Sequence, residues 1–599
     1  MAVRATELIE ERRDQILPVL SEKERKRLRQ FGCIVHFAKG ERLTTTGEDV
    51  PGMFVILSGH VAVREHRGLS VGDLTRLEPG MFLADMGQLA GQPALVDAVA
   101  EDDVEALLVP TPRLRELVVT DADLGETIMR ALILRRALLL DMGAGGPVLV
   151  GPARSAKIVR LQNFLLRNAF PHQLLDPDQH AEANDMLHRF NITPDKWPVV
   201  VCPSGEVLID PDEARVARCI GLLRDIDPAA VYDLVIVGAG PSGLAAAVYA
   251  ASEGLRVLLL ESSVFGGQAG ASARIENYLG FPTGISGRAL AGRAYAQAHK
   301  FGAEMLLAAR VTGLEADGTQ ARLPVDGNRP ATARTVAIAT GAIYRRPAIP
   351  GIERFEGSSV HYWASPVEAR LCKGEEVALV GGGNSAGQAA VYLAGHVKRV
   401  HMLVRGKGLA ESMSSYLVER IKATSNIEVR TQTTVVRLEG QAGQLRQASW
   451  RDETTGQETT RPIRHLFVFI GADPNTSWLE GSGVRLDESG FVLTGTQLSD
   501  GHRSFETSLC GVFAIGMSAR ARPSGSPPRS ARGRSWSRSF MPAWRKARPA
   551  RSDSGAARSF TARRSALSTP GSCENGRPDR SLGPETRSIL RAVHIVPAP

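Results

Sequence analysis

A chain of 599 residues is too long for one hydrophobic core and predicts three or more domains. Its hydrophobic content of 43% is ordinary, no apolar run approaches the ~18 residues of a membrane span, and the charged residues 1–20 do not resemble a secretory leader, so we predict a cytoplasmic protein. The net charge of +8 comes from residues 517–599, which hold 17 Lys and Arg against 4 Asp and Glu; the rest of the chain carries −5, which argues against nucleic-acid binding.

The six cysteines are widely spaced and form no CxxC pair. They are Cys33, Cys202, Cys219, Cys372, Cys510 and Cys573. This pattern is typical of reduced cytoplasmic thiols, and it favours neither a disulfide scaffold nor a metal site.

Residues 1–142 are predicted to form a β jelly-roll barrel followed by a long helix. Short alternating segments separated by glycine turns end near Val109, and the apolar-periodic stretch ADLGETIMRALILRRALLLDMG follows. The arrangement resembles the cyclic nucleotide-binding domain family, in which Gly-Glu and an Arg hold the ribose and the cyclic phosphate. Here Ala84 and Asp85 replace Gly-Glu, and Ala94 replaces the Arg. We therefore expect a docking or dimerisation module, in a homodimer, rather than a nucleotide site.

Residues 147–226 alternate strand and helix in an order that resembles the thioredoxin/glutaredoxin fold. Pro198 occupies the position of that family's cis-proline, directly before the third strand. The helix that opens with CxxC in the family opens here with PARS, from Pro152 to Ser155. Cys202 and Cys219 are interpreted as buried, inert thiols, and the module as an adaptor without redox chemistry.

A dinucleotide-binding unit follows in YDLVIVGAGPSGLAAAVYAASEGLRVLLLES. Gly238 permits the tight turn, Gly240 lets the backbone approach a pyrophosphate, and Gly243 allows the helix to pack closely on the strand. The helix N-terminus then favours the negative charge. Glu261 is placed to bind a ribose hydroxyl.

A second unit, VALVGGGNSAGQAAVYLAGHVKRVHMLVRGKG, repeats this chemistry with Gly381, Gly383 and Ala386. Its second strand ends at Arg405 and Lys407 instead of an acid. Because a 2′-phosphate attracts cations whereas a free ribose hydroxyl needs an acceptor, this unit is predicted to prefer NADPH to NADH.

Two such units in series resemble the low-molecular-weight thioredoxin reductases, from about residue 231 to 516. The segments FGGQAGASARIENYLGFP, AIATGA, FVFIGADPNT and GVFAIG strengthen the resemblance. It implies FAD in the first unit and NADPH in the second. It also places further residues at the cofactors, namely Gly267, Gln268, Asn277, Thr340, Gly341, Asn384, Ser385 and Asp473.

The predicted fold is therefore multidomain. A β jelly-roll barrel and a small α/β thioredoxin-like domain precede two Rossmann-type α/β nucleotide-binding domains. The FAD domain is predicted over 230–345 and 463–516, and the NAD(P)H domain over the inserted residues 346–462. A disordered Arg/Ser/Pro-rich tail is predicted over 517–599.

The redox pair of the resembled family, C-A-T-C-D, has no counterpart in this chain. By the family's spacing from Gly381, the corresponding segment is ASPVE, from Ala364 to Glu368. Both sulfurs are missing, although Glu368 stands where the family has a proton-donating Asp. Cys372 lies four residues beyond that acid and is not a positional replacement.

Three functions remain open at this point. The leading prediction is an FAD-dependent NADPH oxidoreductase that passes electrons to an unidentified acceptor, such as a thioredoxin-like protein, a ferredoxin or a flavodoxin. In the second, Cys372 supports disulfide reduction together with a partner thiol. In the third, the flavin is a redox sensor that signals to the two N-terminal modules.

The tail from Met517 is predicted to be a frameshifted translation. In the resembled family GVFAIG continues with an Asp and a helix that covers the flavin, whereas this chain continues MSARARPSGSPPRS. If the gene is read one base earlier, a G before the Met517 codon ATG gives GAT, which encodes Asp. The following codons can then give an Ala/Val-rich helix. The chain as written is accordingly expected to bind FAD poorly.

Overall fold

The computed structural model describes residues 12–519, except 68–69, 190–192, 194–195, 273, 277, 442 and 499–503. Among these residues, no helix is both long and apolar enough to cross a membrane. The predicted tail lies outside the described residues from residue 520 onward.

The N-terminal module is a jelly roll of two four-stranded antiparallel sheets, with strand orders β1-β8-β3-β6 and β2-β7-β4-β5. The strands are β1 Cys33–Phe37, β2 Arg42–Thr44, β3 Gly52–Ser58, β4 Val61–Arg67, β5 Ser70–Leu77, β6 Phe82–Leu83, β7 Asp97–Ala100 and β8 Val104–Pro110. The helices are α1 Glu22–Leu28, α2 Met86–Leu89, α3 Thr111–Thr120 and α4 Ala122–Met142. The barrel and the long helix are as predicted.

The second module is a four-stranded mixed sheet with the order β10-β9-β11-β12. Its strands are β9 Val148–Val150, β10 Gln173–Leu175, β11 Val199–Val201 and β12 Val207–Ile209; its helices are α5 Ala156–Arg167, α6 Ala181–Arg189 and α7 Glu213–Cys219. The Trp197–Pro198 peptide is cis, which confirms the prediction for Pro198.

The prediction of free, inert thiols in this module is wrong. Cys202 and Cys219 form a disulfide, with their Cα atoms 5.8 Å apart. Cys202 directly follows β11, and Cys219 ends α7, which packs on the sheet. A spacing of 17 residues gives no local signal of this pairing, because only the packing of helix on strand brings the two sulfurs together.

The third module is built on a seven-stranded, largely parallel sheet, β15-β14-β13-β18-β17-β16, with β29 beside β18. The strands are β13 Val231–Val237, β14 Val257–Glu261, β15 Glu304–Leu307, β16 Glu315–Ala316, β17 Ala321–Leu323, β18 Ala331–Ile338 and β29 Val512–Ala514. The helices are α8 Pro241–Ser252, α9 Gly267–Gly270 and α10 Gly287–Lys300. The four buried apolar residues VLLL that begin β14 suit a strand that is covered on both faces.

The fourth module is inserted into the third and contains the parallel sheet β20-β27-β21-β22-β23 and the antiparallel sheet β24-β25-β26. The strands are β20 Val360–His361, β21 Glu376–Val380, β22 Arg399–Val404, β23 Ile427–Thr431, β24 Thr433–Gln441, β25 Gln444–Asp452, β26 Glu458–Arg461 and β27 Leu466–Val468. The helices are α11 Pro366–Leu371, α12 Asn384–Ala394 and α13 Ser415–Ala423. Short 3-10 helices occur at Arg29–Phe31, Ile352–Phe355, Ser477–Leu479, Gly495–Gln497 and Gly516–Ser518.

A two-stranded antiparallel ribbon joins the third and fourth modules. It pairs β19 Ala342–Tyr344 with β28 Ala472–Pro474. Since β27 pairs with β20 and β21, it belongs to the inserted sheet, and the predicted return to the third module at residue 463 is too early. The chain returns through β28 instead.

Candidate functional site: two glycine turns and the segment between them

The first glycine turn connects β13 to α8. A side chain on Gly238, which has φ +107°, would lie 2.4 Å from the Ala339 carbonyl oxygen, and one on Gly243 would lie 1.9 Å from the Gly238 oxygen. A side chain on Gly240 would meet no atom of the described residues within 4 Å, and Gly240 forms the N-cap of the 12-residue helix α8. A backbone carbonyl therefore closes one side of the turn and the other side is open, where the N-terminus of helix α8 suits a pyrophosphate.

Glu261 ends the neighbouring strand and turns its carboxylate toward the same turn. The carboxylate accepts hydrogen bonds from the backbone N–H of Ala239 at 2.7 Å and of Ser263 at 3.0 Å. Burial raises the pKa of Glu261 above its ordinary value, while these N–H donors oppose that rise. A carboxylate fixed in this way beside the turn fits a ribose hydroxyl.

Four predicted flavin contacts surround this turn. Gly267 approaches Gly240 closely, since a side chain on Gly267 would lie 3.1 Å from the Gly240 Cα. Gln268 donates through Nε2 to the Ala342 carbonyl at 2.6 Å, and Thr340 donates to the Asn475 carbonyl at 2.7 Å. Gly341 follows Thr340 with φ +66°. Asn277 lies outside the described residues.

The second turn, between β21 and α12, has the same design. Gly381 has φ +145° and faces the Phe469 carbonyl oxygen, where a side chain would come within 2.4 Å, whereas Gly383 is open. Ala386 is 1% exposed beneath the turn. The Oδ1 atom of Asn384 accepts from the backbone N–H of Ser414 at 2.7 Å, and the neighbouring Ser385 is exposed.

Arg405 and Lys407 follow β22 at the same edge of the sheet. The Gly381 N–H donates to the Leu403 carbonyl at 3.0 Å, so the two cations come directly after a residue that contacts the turn. Both side chains are exposed. Their position fits a 2′-phosphate on a nucleotide held at this turn.

Asp473, a predicted cofactor contact, forms an ion pair with another side chain instead. It lies on the exposed ribbon strand β28 and forms an ion pair with Arg345 at 2.6 Å. That contact gives it a structural role in joining the two nucleotide-binding modules, and it provides no support for a cofactor contact.

The segment from Ala364 to Glu368 begins helix α11, and Glu368 is 1% exposed. Its Oε2 accepts from the Ser365 backbone N–H at 2.9 Å and from the Ser365 hydroxyl, which makes a capping box. Its Oε1 accepts from Trp363 Nε1 at 3.2 Å and from Asn163 Nδ2 at 2.9 Å. With both oxygens occupied, Glu368 serves as a cap and an intermodule contact, and nothing in its surroundings supports the predicted proton donor.

Cys372 is not accessible to a partner. Its side chain is 0% exposed within the core of the fourth module. Burial raises the pKa of the thiol to about 12. Both effects suppress the thiolate that disulfide chemistry requires.

The second module packs against this site, a contact that sequence reasoning missed. Asn168 donates to the Ser263 carbonyl at 3.2 Å and accepts from the Phe265 N–H at 3.2 Å. Arg167 donates to the Gly267 carbonyl at 2.7 Å. Together with the contact between Asn163 and Glu368, these bonds let one helix, α5, touch both nucleotide-binding modules. No periodicity could have revealed this, since the partners lie about a hundred residues or more apart.

Met517 occupies the place where the resembled family carries an Asp. It lies in the 3-10 helix that follows β29, after Gly516 with φ +71°. The next residue, Ser518, is buried and donates to the Ile338 carbonyl at 3.2 Å. The two glycine turns fit dinucleotides. At position 517, however, a thioether provides no acceptor comparable to a carboxylate, so the expected polar contact to the flavin is missing.

Comparison with known proteins agrees with these two turns. The sequence model of the pyridine nucleotide-disulphide oxidoreductase family matches residues 232–536. That of the cyclic nucleotide-binding domain matches residues 34–121.

Individual relatives match the same part of the chain. Thioredoxin reductase of Mycolicibacterium smegmatis is 32% identical over 48% of this chain and 88% of its own length. NADPH-dependent thioredoxin reductase 3 of Arabidopsis thaliana is 36% identical over 48% of this chain and 53% of its own length. Among solved structures, Lactococcus lactis thioredoxin reductase aligns with 28% identity and a TM-score of 0.45, over 49% of this chain and 91% of its own.

Proposed function

The chain belongs to the pyridine nucleotide-disulphide oxidoreductase family and is an FAD-dependent oxidoreductase, and from this premise we propose that it reduces an external acceptor without a dithiol relay of its own. Bound FAD would provide a group able to accept a hydride from NADPH and to donate two electrons to that acceptor. The protein's task is to hold the two nucleotides in register and to admit the acceptor.

The main support for this proposal is that residues 364–368 contain no cysteine. The acid that remains there, Glu368, has both carboxylate oxygens engaged by Ser365, Trp363 and Asn163. The nearby Cys372 is fully buried. A relay through this segment would need a thiolate that neither residue provides, so the electrons must leave by another route.

The two turns support distinct assignments for the nucleotides. We assign the pyrophosphate of FAD to the turn at Gly238–Gly243 and its ribose to Glu261. We assign NADPH to the turn at Gly381–Ala386, with Arg405 and Lys407 at its 2′-phosphate. A side chain on Gly240 or Gly383 would meet no atom of the described part of the chain within 4 Å, and this open space supports both assignments.

The second module is proposed to be a thioredoxin-like adaptor. Its mixed sheet, with β10 parallel and β11 antiparallel to β9, supports that fold. The Pro152–Ser155 stretch, where a redox pair would open α5, holds no cysteine. Since α5 contacts both nucleotide-binding modules, the adaptor is suited to position an acceptor beside the flavin.

Rapid mixing of the FAD-loaded protein with NADPH tests the enzymatic proposal. We expect fast bleaching of the flavin absorbance, followed by reoxidation when a suitable ferredoxin, flavodoxin or thioredoxin is supplied. Thiols are counted by mass spectrometry before and after NADPH. An unchanged count supports an external acceptor, whereas NADPH-dependent opening of the Cys202–Cys219 disulfide contradicts the absence of an internal relay.

A flavin-based sensor is the second candidate, and one observation favours it. Both N-terminal modules contact the module to which FAD is assigned: Asn168 binds Ser263 and Phe265, while Gln92 donates to Tyr295, whose ring stacks on Phe265 at 4.3 Å. Bleaching by NADPH that takes hours, with no acceptor accelerating reoxidation, would favour the sensor over the enzyme.

A further inference from the structure

The disulfide between Cys202 and Cys219 lies where the second module meets its two neighbours. Cys202 is 3% exposed in the turn that follows β11, whereas Cys219, at the end of α7, is half-buried. Thiol–disulfide exchange requires that an attacking thiolate reach only one of the two sulfurs. Cys219 is therefore the end of the pair that offers access.

The turn after Cys202 contacts the N-terminal barrel. Within this turn the Gly205 N–H donates to the Cys202 carbonyl at 2.9 Å. On the barrel side, a side chain on Gly47 would lie 2.6 Å from the backbone nitrogen of Ser204. Only glycine allows two backbones to approach so closely. The barrel thus packs against a residue two positions beyond Cys202.

The segment after Cys219 contacts the barrel a second time. A side chain on Gly221 would lie 2.4 Å from Cδ of Pro93 in the barrel. The next carbonyl, that of Leu222, accepts from the N–H of Leu307 at 3.0 Å, on strand β15 of the third module. This short segment therefore links the second module to both the barrel and the FAD module.

The disulfide joins the two barrel contacts covalently. Ser204 and Gly221 each lie two residues beyond a cysteine, and the bond connects cysteines that are 17 positions apart. A closed loop has fewer conformations than an open one, so the bond favours the arrangement in which both contacts form together. With the bond open, the turn and the end of the helix move independently, and each contact with the barrel forms alone.

The setting of the pair favours a reversible bond. The sequence predicts a cytoplasmic protein, and disulfides of cytoplasmic proteins are usually redox-sensing or catalytic rather than permanent. A catalytic dithiol usually has CxxC spacing, whereas these cysteines are 17 positions apart. Regulation of the contact between the modules fits this pair better than electron transfer.

We propose that Cys202–Cys219 is a reversible modification site at which an external dithiol protein loosens the docking of the N-terminal barrel. A thiolate of the dithiol attacks the Cys219 sulfur, so that a mixed disulfide forms and the Cys202 sulfur leaves as a thiolate. The second thiol of the partner then attacks the mixed disulfide and releases Cys219. Two electrons and two protons pass to the pair, which becomes two thiols, while the dithiol becomes a disulfide. The reverse exchange closes the bond again.

Reduction of the full chain with dithiothreitol at pH 7 tests the proposal. Mass spectrometry counts the thiols, and hydrogen exchange follows the backbone amides of the barrel segments 44–48 and 91–96 and of residues 303–308. We expect the pair to open without denaturation and exchange in all three segments to accelerate about tenfold. Residues 444–461, in the antiparallel sheet of the fourth module, should exchange at an unchanged rate. Oxidised glutathione should then restore the slower exchange.

Two variants separate this bond from the other cysteines. Cys202→Ala/Cys219→Ala fixes the open state and should show the faster exchange without dithiothreitol, whereas Cys33→Ala, at an exposed free thiol, should match the unaltered chain. Because dithiothreitol also reduces the disulfide of Cys510, the response should persist in Cys510→Ala.

Reduction of the unaltered chain decides the matter even if the double variant does not fold. The proposal is overturned if the pair stays closed until the protein denatures or if NADPH opens it without any dithiol. It is also overturned if opening the pair leaves exchange in the two barrel segments unchanged.

Discussion

Cys510 of the reductase module is disulfide-bonded, and Cys372 is the module's only free cysteine among the described residues. Alkylation of the native protein measures whether this thiol can exchange with a partner disulfide. Burial raises its pKa from the ordinary 9.0 to about 12. At pH 7 the thiolate fraction therefore falls from about 10⁻² to about 10⁻⁵, roughly a thousandfold. The side chain is also 0% exposed, so a reagent reaches it only when the surrounding core opens.

Iodoacetamide labelling at pH 7, quantified by peptide mass spectrometry, compares Cys372 with the exposed Cys33 in the same sample. We expect Cys33 to react and Cys372 to react about a thousandfold more slowly. Denatured protein, in which both cysteines should label, is the control. Cys372→Ala should retain flavin reduction and acceptor turnover. Native labelling of Cys372 at the rate of Cys33, or lost turnover with intact flavin reduction, would refute the reasoning.

Three further outcomes are expected. Changing Arg405 and Lys407 to Gln should weaken NADPH binding by about 2–4 kcal/mol, roughly 30- to 900-fold in Kd, with little effect on NADH; equal losses would exclude a 2′-phosphate clamp. Burial lowers the pKa of His361 and His465 from 6.5 to about 3. Between pH 6.5 and about pH 3 the unfolded chain therefore binds more protons than the folded chain. The folding stability that these histidines contribute above pH 6.5 is consequently lost as the pH falls. Melting temperatures at pH 7, 6 and 5 should fall steadily, and less so in His361→Phe/His465→Leu. Restoring the reading frame in which codon 517 encodes Asp should raise the flavin absorbance per protein molecule. If the resequenced gene has an in-frame ATG at codon 517, with no missing or extra base nearby, the frameshift prediction is contradicted.

Local patterns determined the elements of this protein and its two glycine turns. Gly238, at φ +107°, and Gly381, at φ +145°, stand where a side chain would strike a backbone carbonyl, so the chain itself requires glycine there. The jelly roll and helix Ala122–Met142 follow from apolar spacing in the same way. These features depend on residues that are near neighbours in the chain, and for that reason the sequence alone was enough to predict them.

Only the tertiary structure decided what the remaining candidate groups do. Cys202 and Cys219 pair because a helix packs on a strand, and Glu368 becomes a cap that binds Asn163, 205 residues away. Arg135 is one of many arginines in the sequence, yet folding places it where it donates to the backbone carbonyls of Ile16, Phe82 and Ala84. Such roles depend on how modules dock and on which groups lose water, and residues distant in the chain determine both.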